Sequence, residues 1–176
     1  FASAARPTSK RRDRGGRHPA TDPQALEWVV GRSVELAQLR GALREAAAGH
    51  GRIVLVAGEP GIGKSRLVDE LAVDAARFGV LACWGMCWEG DSTPPFWPWV
   101  QLIRQYGRNR SSTDLLAELD AVGIRYLLPE LARLNAPPQN QATEQDRFWL
   151  FDAITRFFVQ AAVAGPLLLI MEDLHW

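Results

Sequence analysis

Eight consecutive residues, GEPGIGKS at 58–65, match the spacing G-x-x-x-x-G-K-[ST]. Glycines let the backbone N–H groups of a tight loop point into one concavity, because no Cβ atoms block it. Lys64 supplies a mobile cation for the β- and γ-phosphates of a nucleotide, and the Ser65 hydroxyl is a suitable ligand for Mg²⁺. We predict nucleotide contacts for the loop and the residue behind it: Gly58, Glu59, Pro60, Gly61, Ile62, Gly63, Lys64, Ser65 and Arg66.

The alternative for this segment is a plain glycine turn between a strand and a helix. The chain has only two lysines, Lys10 and Lys64, so a chance match to the motif is rare. The context also agrees, because the loop follows an apolar run and opens a helical pattern. We therefore favour the phosphate-binding loop.

Two adjacent acids, Glu172 and Asp173, end the apolar run LLLIM at 167–171. An acid at the carboxyl end of a buried parallel strand faces the phosphates in proteins that carry such a loop. We predict that Glu172 and Asp173 are the catalytic acids and that, with Ser65, they hold Mg²⁺. Without the glycine loop, an acidic pair starting a solvent-exposed loop would be the better interpretation. Which acid holds the metal and which polarises water stays open.

The flanking pattern predicts the elements that position these groups. IVLVA at 53–57, VLACW at 80–84 and LLLIM at 167–171 read as strands, and the first needs cover on both faces. Helical spacing follows Ser33 and ends at the glycines before 52, and a second helix is predicted over 65–78. Further helices are predicted from Phe96 to Tyr106, in short pieces over 112–134, and over 143–164, where Phe148, Phe151, Ile154 and Phe158 recur at helical spacing. The resulting fold class is α/β, a three-layer αβα arrangement with a mainly parallel sheet.

Composition limits the class of protein. Lys+Arg and Asp+Glu are both 20, so the whole chain has no charge bias towards nucleic acid or membrane, and no apolar run reaches the length of about 18–20 residues that spans a bilayer. Residues 1–25 are basic and rich in Pro, Gly and Arg, which favours a disordered linker over a nucleic-acid contact. We assign 26–176 to one domain. Cys83 and Cys87 lack zinc-ligand partners at useful spacing and read as reduced thiols.

Several segments together also resemble a known family. Five segments resemble, in their residues and in their order, the STAND-type P-loop ATPase module: VVGRSVELAQLRGAL, GEPGIGKSRLVDEL, GMCWEGDSTPPFWPWVQLIR, LLPEL and LLLIMEDLHW. That module occurs in large bacterial LuxR-type ATP-dependent transcriptional regulators and is distantly similar to origin-recognition ATPases. The resemblance covers about residues 29–176.

The resemblance implies an ATP-binding switch that hydrolyses ATP slowly, in a cytoplasmic protein. It implies that Val30, Gly31 and Arg32 lie against the adenine and ribose, and it favours ATP over GTP, which spacing alone leaves open. ADP would hold a closed form, and ATP with an inducer would permit self-association. DNA would be contacted only through a domain absent from this chain. His175 is either a γ-phosphate sensor or an ordinary loop histidine, and for the aromatic segment PPFWPW core packing is favoured over a special role.

The resemblance further implies strands after the second acid, one of them inserted between the strands at 53–57 and 167–171. We therefore expect an incomplete domain that stops after the acid-bearing strand, in which 53–57 lacks a neighbour and the chain alone is poorly soluble or partly unfolded. Two other functions are compatible with a phosphate-binding loop. A small-molecule kinase needs an arginine-lined acceptor pocket, and a replication-initiator ATPase would be stimulated by DNA.

Overall fold

The computed structural model describes residues 31–88, 96–108, 110–124, 127–128 and 144–174. These residues form five α-helices, α1 (Ser33–Ala47), α2 (Lys64–Arg77), α3 (Trp97–Gly107), α4 (Ser112–Val122) and α5 (Glu144–Ala164), and two strands, β1 (Leu81–Met86) and β2 (Leu167–Glu172). The predicted linker, Val30, the prolines that precede α3 and His175 lie outside the described residues. No described helix is both long enough and apolar enough to cross a membrane.

The first core cluster joins α1 to α2. Leu36, Leu39 and Leu43 recur at three- and four-residue steps, so they share one face of α1 and are buried there. They pack against Leu67, Leu71 and Ala75 of α2. The helix that follows the predicted phosphate loop is therefore held by α1.

A buried carboxylate adds a polar link between these two helices. Asp74 of α2 is 5% exposed and accepts a bond of 2.6 Å from Arg40 Nε of α1. Arg77, one turn further along α2, donates to the other carboxylate oxygen at 3.1 Å. A buried carboxylate must be paired, so this ion pair restricts how α1 can slide along α2.

The sheet consists of β1 and β2 in parallel, with residues paired from Leu81↔Leu167 to Met86↔Glu172. Both strands were predicted, and β1 continues two residues beyond the predicted end at Trp84. Alternate side chains of β2 leave opposite faces. Leu167, Leu169 and Met171 pack against a second core cluster, which is formed by α3, α4 and α5. Leu168 packs against the first core cluster. The described residues are thus an α/β arrangement in which helices contact both faces of β2.

The second core cluster is formed by α3, α4 and α5. Its largest fully buried side chains include Tyr106 of α3 and Phe157 of α5, whose rings meet edge to face at 5.4 Å. The helix predicted over 143–164 is confirmed as α5. The residues it buries, however, are not all members of the apolar repeat from which the helix was predicted. Phe158 and Ile154 are buried, while Phe148 is 66% exposed.

The outer edge of β1 is covered by α3 instead of by a strand. The Trp84 N–H donates to Gln105 Oε1 at 3.0 Å, and Gln105 Nε2 donates to the Trp84 carbonyl at 2.7 Å. One turn earlier, Gln101 Nε2 donates to the Met86 carbonyl at 3.1 Å. Glutamine amides have a donor and an acceptor, so they can take the place of a neighbouring backbone. Covering an edge with a helix also protects it from pairing with another chain.

The prediction of a buried strand at 53–57 is wrong for this structure. Residues 51–59 contain no strand, Ile53 is fully exposed and Leu55 is 77% exposed. Val56 packs against the first core cluster. An apolar run becomes a strand only by pairing its backbone groups, and within the described residues β1 and β2 pair with each other and not with this segment.

The exposure of residues 53–57 predicts how two matched substitutions change the stability of the 176-residue chain. Leu71→Ala removes a side chain that is 6% exposed and should lower the free energy of unfolding by about 2–5 kcal/mol. Leu55→Ala removes the same atoms from an exposed site and should change it by less than about 0.5 kcal/mol. Urea denaturation followed by circular dichroism measures both. An equal loss in the two variants would show that 53–57 is buried after all.

Candidate functional site

The glycine loop has backbone angles at two positions that glycine adopts far more readily than other residues. Gly61 has φ +81° and Gly63 has φ +95°, both in the left-handed region that side chains rarely adopt. A Cβ at Gly58 would lie 3.2 Å from Cγ2 of Ile62, so the loop is also tightly closed at its start. The two left-handed residues turn the chain from the extended segment before it into α2.

The first turn of α2 suits an anionic ligand. Gly63 precedes the helix, no side chain caps it, and no acid lies in the first turn. The first N–H groups of a helix have no intrahelical partners, and the helix dipole adds a partial positive charge there. Lys64 and Ser65 occupy this turn, and Ser65 is exposed. These residues therefore fit a phosphate chain, as they would not if a side-chain carboxylate occupied the helix start.

Lys64 folds back over the loop. Its Nζ donates to the carbonyl of Gly58 at 2.9 Å and to that of Glu59 at 3.1 Å. An ammonium group forms stronger, charge-assisted bonds with phosphate oxygens than with neutral carbonyls. The same cation can therefore move to a phosphate at little cost, because these two bonds are exposed.

The predicted adenine segment reaches the loop through Arg32. Arg32 donates through one guanidinium nitrogen to Glu35 Oε1 at 3.0 Å and through the other to the Ile62 carbonyl at 3.4 Å. Gly31 has φ +77° and turns the chain into α1. A backbone hydrogen bond at the start of α1 is the largest effect on the pKa of Glu35 and lowers it, and the smaller Arg32 contacts act in the same direction. Sequence reasoning placed Arg32 beside the base and missed its bond to the loop.

The two acids occupy different backbone positions. Glu172 is the last residue of β2 and half-buried, and its carbonyl accepts the N–H of Cys87 at 3.0 Å. Asp173 is exposed, follows the strand and has φ +58°, a conformation that Asp tolerates better than most residues. The chain thus leaves the sheet between the two carboxylates, and they are not equivalent.

Two thiols lie close to the acid-bearing end of the sheet. Burial raises the pKa of Cys83 to about 11. Burial also raises the pKa of Cys87, and the nearby Asp173 carboxylate raises it further. Both thiols are free, and the described part of the chain holds no cluster of three or more His, Cys, Asp or Glu residues suited to a metal. The hydrogen bond from the Cys87 N–H to the Glu172 carbonyl brings the next residue, Asp173, to the carboxyl end of β1.

The predicted site residues form two groups. One contains Arg32, the loop and Lys64, and the other contains Glu172, Asp173 and the end of β1. Where the chain is described, no hydrogen bond or ion pair joins Lys64 or Ser65 to either acid. The groups are connected through α2, which packs on both strands. Sequence reasoning missed Gln101 and Gln105, although two glutamines four residues apart on a helix were a visible signal.

The position of Asp173 predicts the reactivity of Cys87. At a fixed pH a raised pKa leaves less thiolate, so iodoacetamide should alkylate Cys87 more slowly than an ordinary exposed thiol. Asp173→Asn removes the negative charge and lowers the pKa of Cys87, so the rate at pH 8 should rise. Asp114→Asn, an exposed acid on α4, serves as the control and should leave the rate unchanged. Mass spectrometry can follow both cysteines, and Cys83 should stay unmodified. An unchanged Cys87 rate in Asp173→Asn would contradict this placement.

The loop, the uncapped helix start and the strand-end acids are the parts expected of a nucleotide-binding ATPase. A protein-family model described as AAA ATPase domain matches residues 29–176. No curated protein and no solved structure matches the chain. Since the family match covers most of the chain, the chain belongs to the AAA ATPase domain family, which has a P-loop α/β fold.

Proposed function

We propose that the chain is an ATP-binding switch domain, hydrolysing ATP slowly, of a bacterial transcriptional regulator of the STAND and LuxR type. The observation that carries the nucleotide part is the loop itself, where left-handed Gly61 and Gly63 deliver Lys64 to an uncapped helix start. Membership of the AAA family supports ATP as the ligand. The regulator part rests on the resemblance of the aromatic and acid-bearing segments.

In this proposal the loop residues bind the phosphates and Lys64 exchanges its two carbonyl partners for phosphate oxygens. The N–H groups at the start of α2 bind the same anion. Val30, Gly31 and Arg32 lie against the adenine and ribose, and the bond from Arg32 to the Ile62 carbonyl supports that placement. ADP would favour a closed form, and ATP would favour self-association.

Ser65, Glu172 and Asp173 would hold Mg²⁺ and orient the attacking water. When bound, the metal neutralises the charge that develops on the transferred phosphoryl group. One of the acids supplies an oxygen to the metal and the other accepts a proton from water. Their backbone positions at the carboxyl end of β2 suit this division of roles, since the sheet end is where ligands bind in parallel α/β folds.

The larger architecture belongs to the same proposal. Helices contact both faces of β2, which supports a three-layer αβα domain over 26–176, preceded by a linker at 1–25. The domain would act in the cytoplasm, and DNA would be bound by a separate domain of the protein.

Lys64→Ala tests the phosphate site. The variant should bind ATP at least about tenfold more weakly, because it loses a charge-assisted contact to the phosphates. Lys10→Ala is a matched control, since it removes the same charge from the only other lysine. Titration with a fluorescent ATP analogue measures both affinities, and competition with GTP tests base preference. Equal affinities in the two variants would refute the assignment of the loop.

Glu172→Gln and Asp173→Asn test the acids. Loss of the water-polarising carboxylate should lower single-turnover hydrolysis by about 100-fold or more while ATP still binds. Loss of the metal ligand should instead raise the Mg²⁺ concentration needed for half-maximal nucleotide binding. Comparing the two variants assigns the roles. If both variants keep the wild-type Mg²⁺ dependence and hydrolysis rate, the acids are not part of the site.

A further inference from the structure

We propose that Gln101 of α3 is a positioning residue for Glu172, so that α3 controls the geometry of the metal and water site. The inference rests on the proposed role of Glu172. It adds a residue that neither the motif nor the family match singles out, on a helix that carries no residue of the proposed nucleotide site.

The connection runs through two hydrogen bonds that are joined by the β1 backbone. Gln101 Nε2 donates to the carbonyl of Met86 at 3.1 Å. Met86 lies opposite Glu172 in the parallel ladder. The next residue along, Cys87, donates its N–H to the Glu172 carbonyl at 3.0 Å. The amide of Gln101 therefore fixes the stretch of β1 that holds the backbone of the acid.

Close packing removes freedom from this connection. A Cβ on Gly85 would lie 2.6 Å from the carbonyl oxygen of Pro98, so the first turn of α3 rests directly on the β1 backbone. Because only glycine fits there, β1 and α3 cannot separate or approach by much without breaking contacts. Met86, the residue bonded by Gln101, is the immediate neighbour of this contact point.

The far side of α3 is anchored to α5. Phe96 meets Phe151 with ring centroids 5.3 Å apart, and Trp99 meets Phe158 at 6.0 Å. Aromatic contacts of this kind fix orientation as well as adding buried area. The acid-bearing end of the sheet is thus linked, through β1 and Gln101, to a helix held by aromatic packing.

Gln105 provides an internal comparison on the same helix face. It makes two bonds to Trp84, which lies opposite Ile170, two residues before the acid. If the glutamines served only to cover the edge of β1, removing Gln105 would disturb the protein at least as much as removing Gln101. If Gln101 positions the acid, its removal has an effect on the site that removal of Gln105 lacks.

The test compares Gln101→Met with Gln105→Met in the full-length protein. Methionine keeps the length of the side chain and removes its amide. Three quantities are measured: the Mg²⁺ dependence of ATP-analogue binding, the single-turnover hydrolysis rate, and nucleotide affinity in EDTA. Glu172→Gln identifies which of the first two quantities depends on the acid, and Gln101→Met should shift that quantity by about tenfold, the lower end of the effect of removing groups that orient metal ligands. Gln105→Met should stay within about twofold of wild type, although it loses two bonds and should unfold at a lower temperature.

Two further readouts separate positioning from general damage. Affinity in EDTA should be unchanged in both variants, because the loop binds phosphate without the acids. Gln101→Lys restores a donor of similar reach and should recover most of the lost effect. Equal shifts in the two methionine variants would overturn the proposal, as would an unchanged Gln101→Met when Glu172→Gln has an effect. If Glu172→Gln has no effect, the proposed role of Glu172 fails, and the inference fails with it.

Discussion

The parallel backbone ladder between β1 and β2 is the constraint on which the rest of the structure depends. Buried N–H and C=O groups must be paired, and β1 satisfies this requirement on both edges, with β2 on one side and the glutamine amides of α3 on the other. The register that results sets Met86 opposite Glu172 and brings the Cys87 N–H to the Glu172 carbonyl. The acids therefore lie at the end of β2 that this register pairs with Met86 and Cys87.

The glycine loop is positioned differently, through helices. Its preceding segment, 53–57, makes no strand, so the loop depends on α2, which packs on α1 through leucines and through the buried Asp74. Arg32 adds a contact from the start of α1 to the Ile62 carbonyl. Among the described residues, the packing of α2 on the two strands connects the two halves of the proposed site. A ligand that bridges loop and acids would add a further connection, and the proposed switch requires such a ligand to favour one arrangement of the two halves over another.

Local features of this chain were predictable from sequence because they depend on neighbouring residues. Helical spacing predicted α1 and α2, apolar runs predicted β1 and β2, and the motif predicted a glycine loop, in which the structure gives Gly61 and Gly63 positive φ. The remaining features depend on partners distant in sequence. Residues 53–57 look like a buried strand, yet pairing decides whether such a run becomes one. The bonds of Gln101 and Gln105 to β1, and the burial of Phe157 in place of Phe148, were set by how helices dock, which periodicity does not specify.

The difference between the two acids follows from how each backbone is held. A glutamate carboxylate has more side-chain freedom than an aspartate, so it reaches a fixed point only if its backbone is fixed. The ladder, the Cys87 N–H and the Gln101 amide supply that restraint for Glu172. Asp173 has a shorter side chain and is aimed instead by its own left-handed backbone at the exit from the strand. A movement of α3 therefore reaches Glu172 through the hydrogen bonds that Gln101 and Cys87 make.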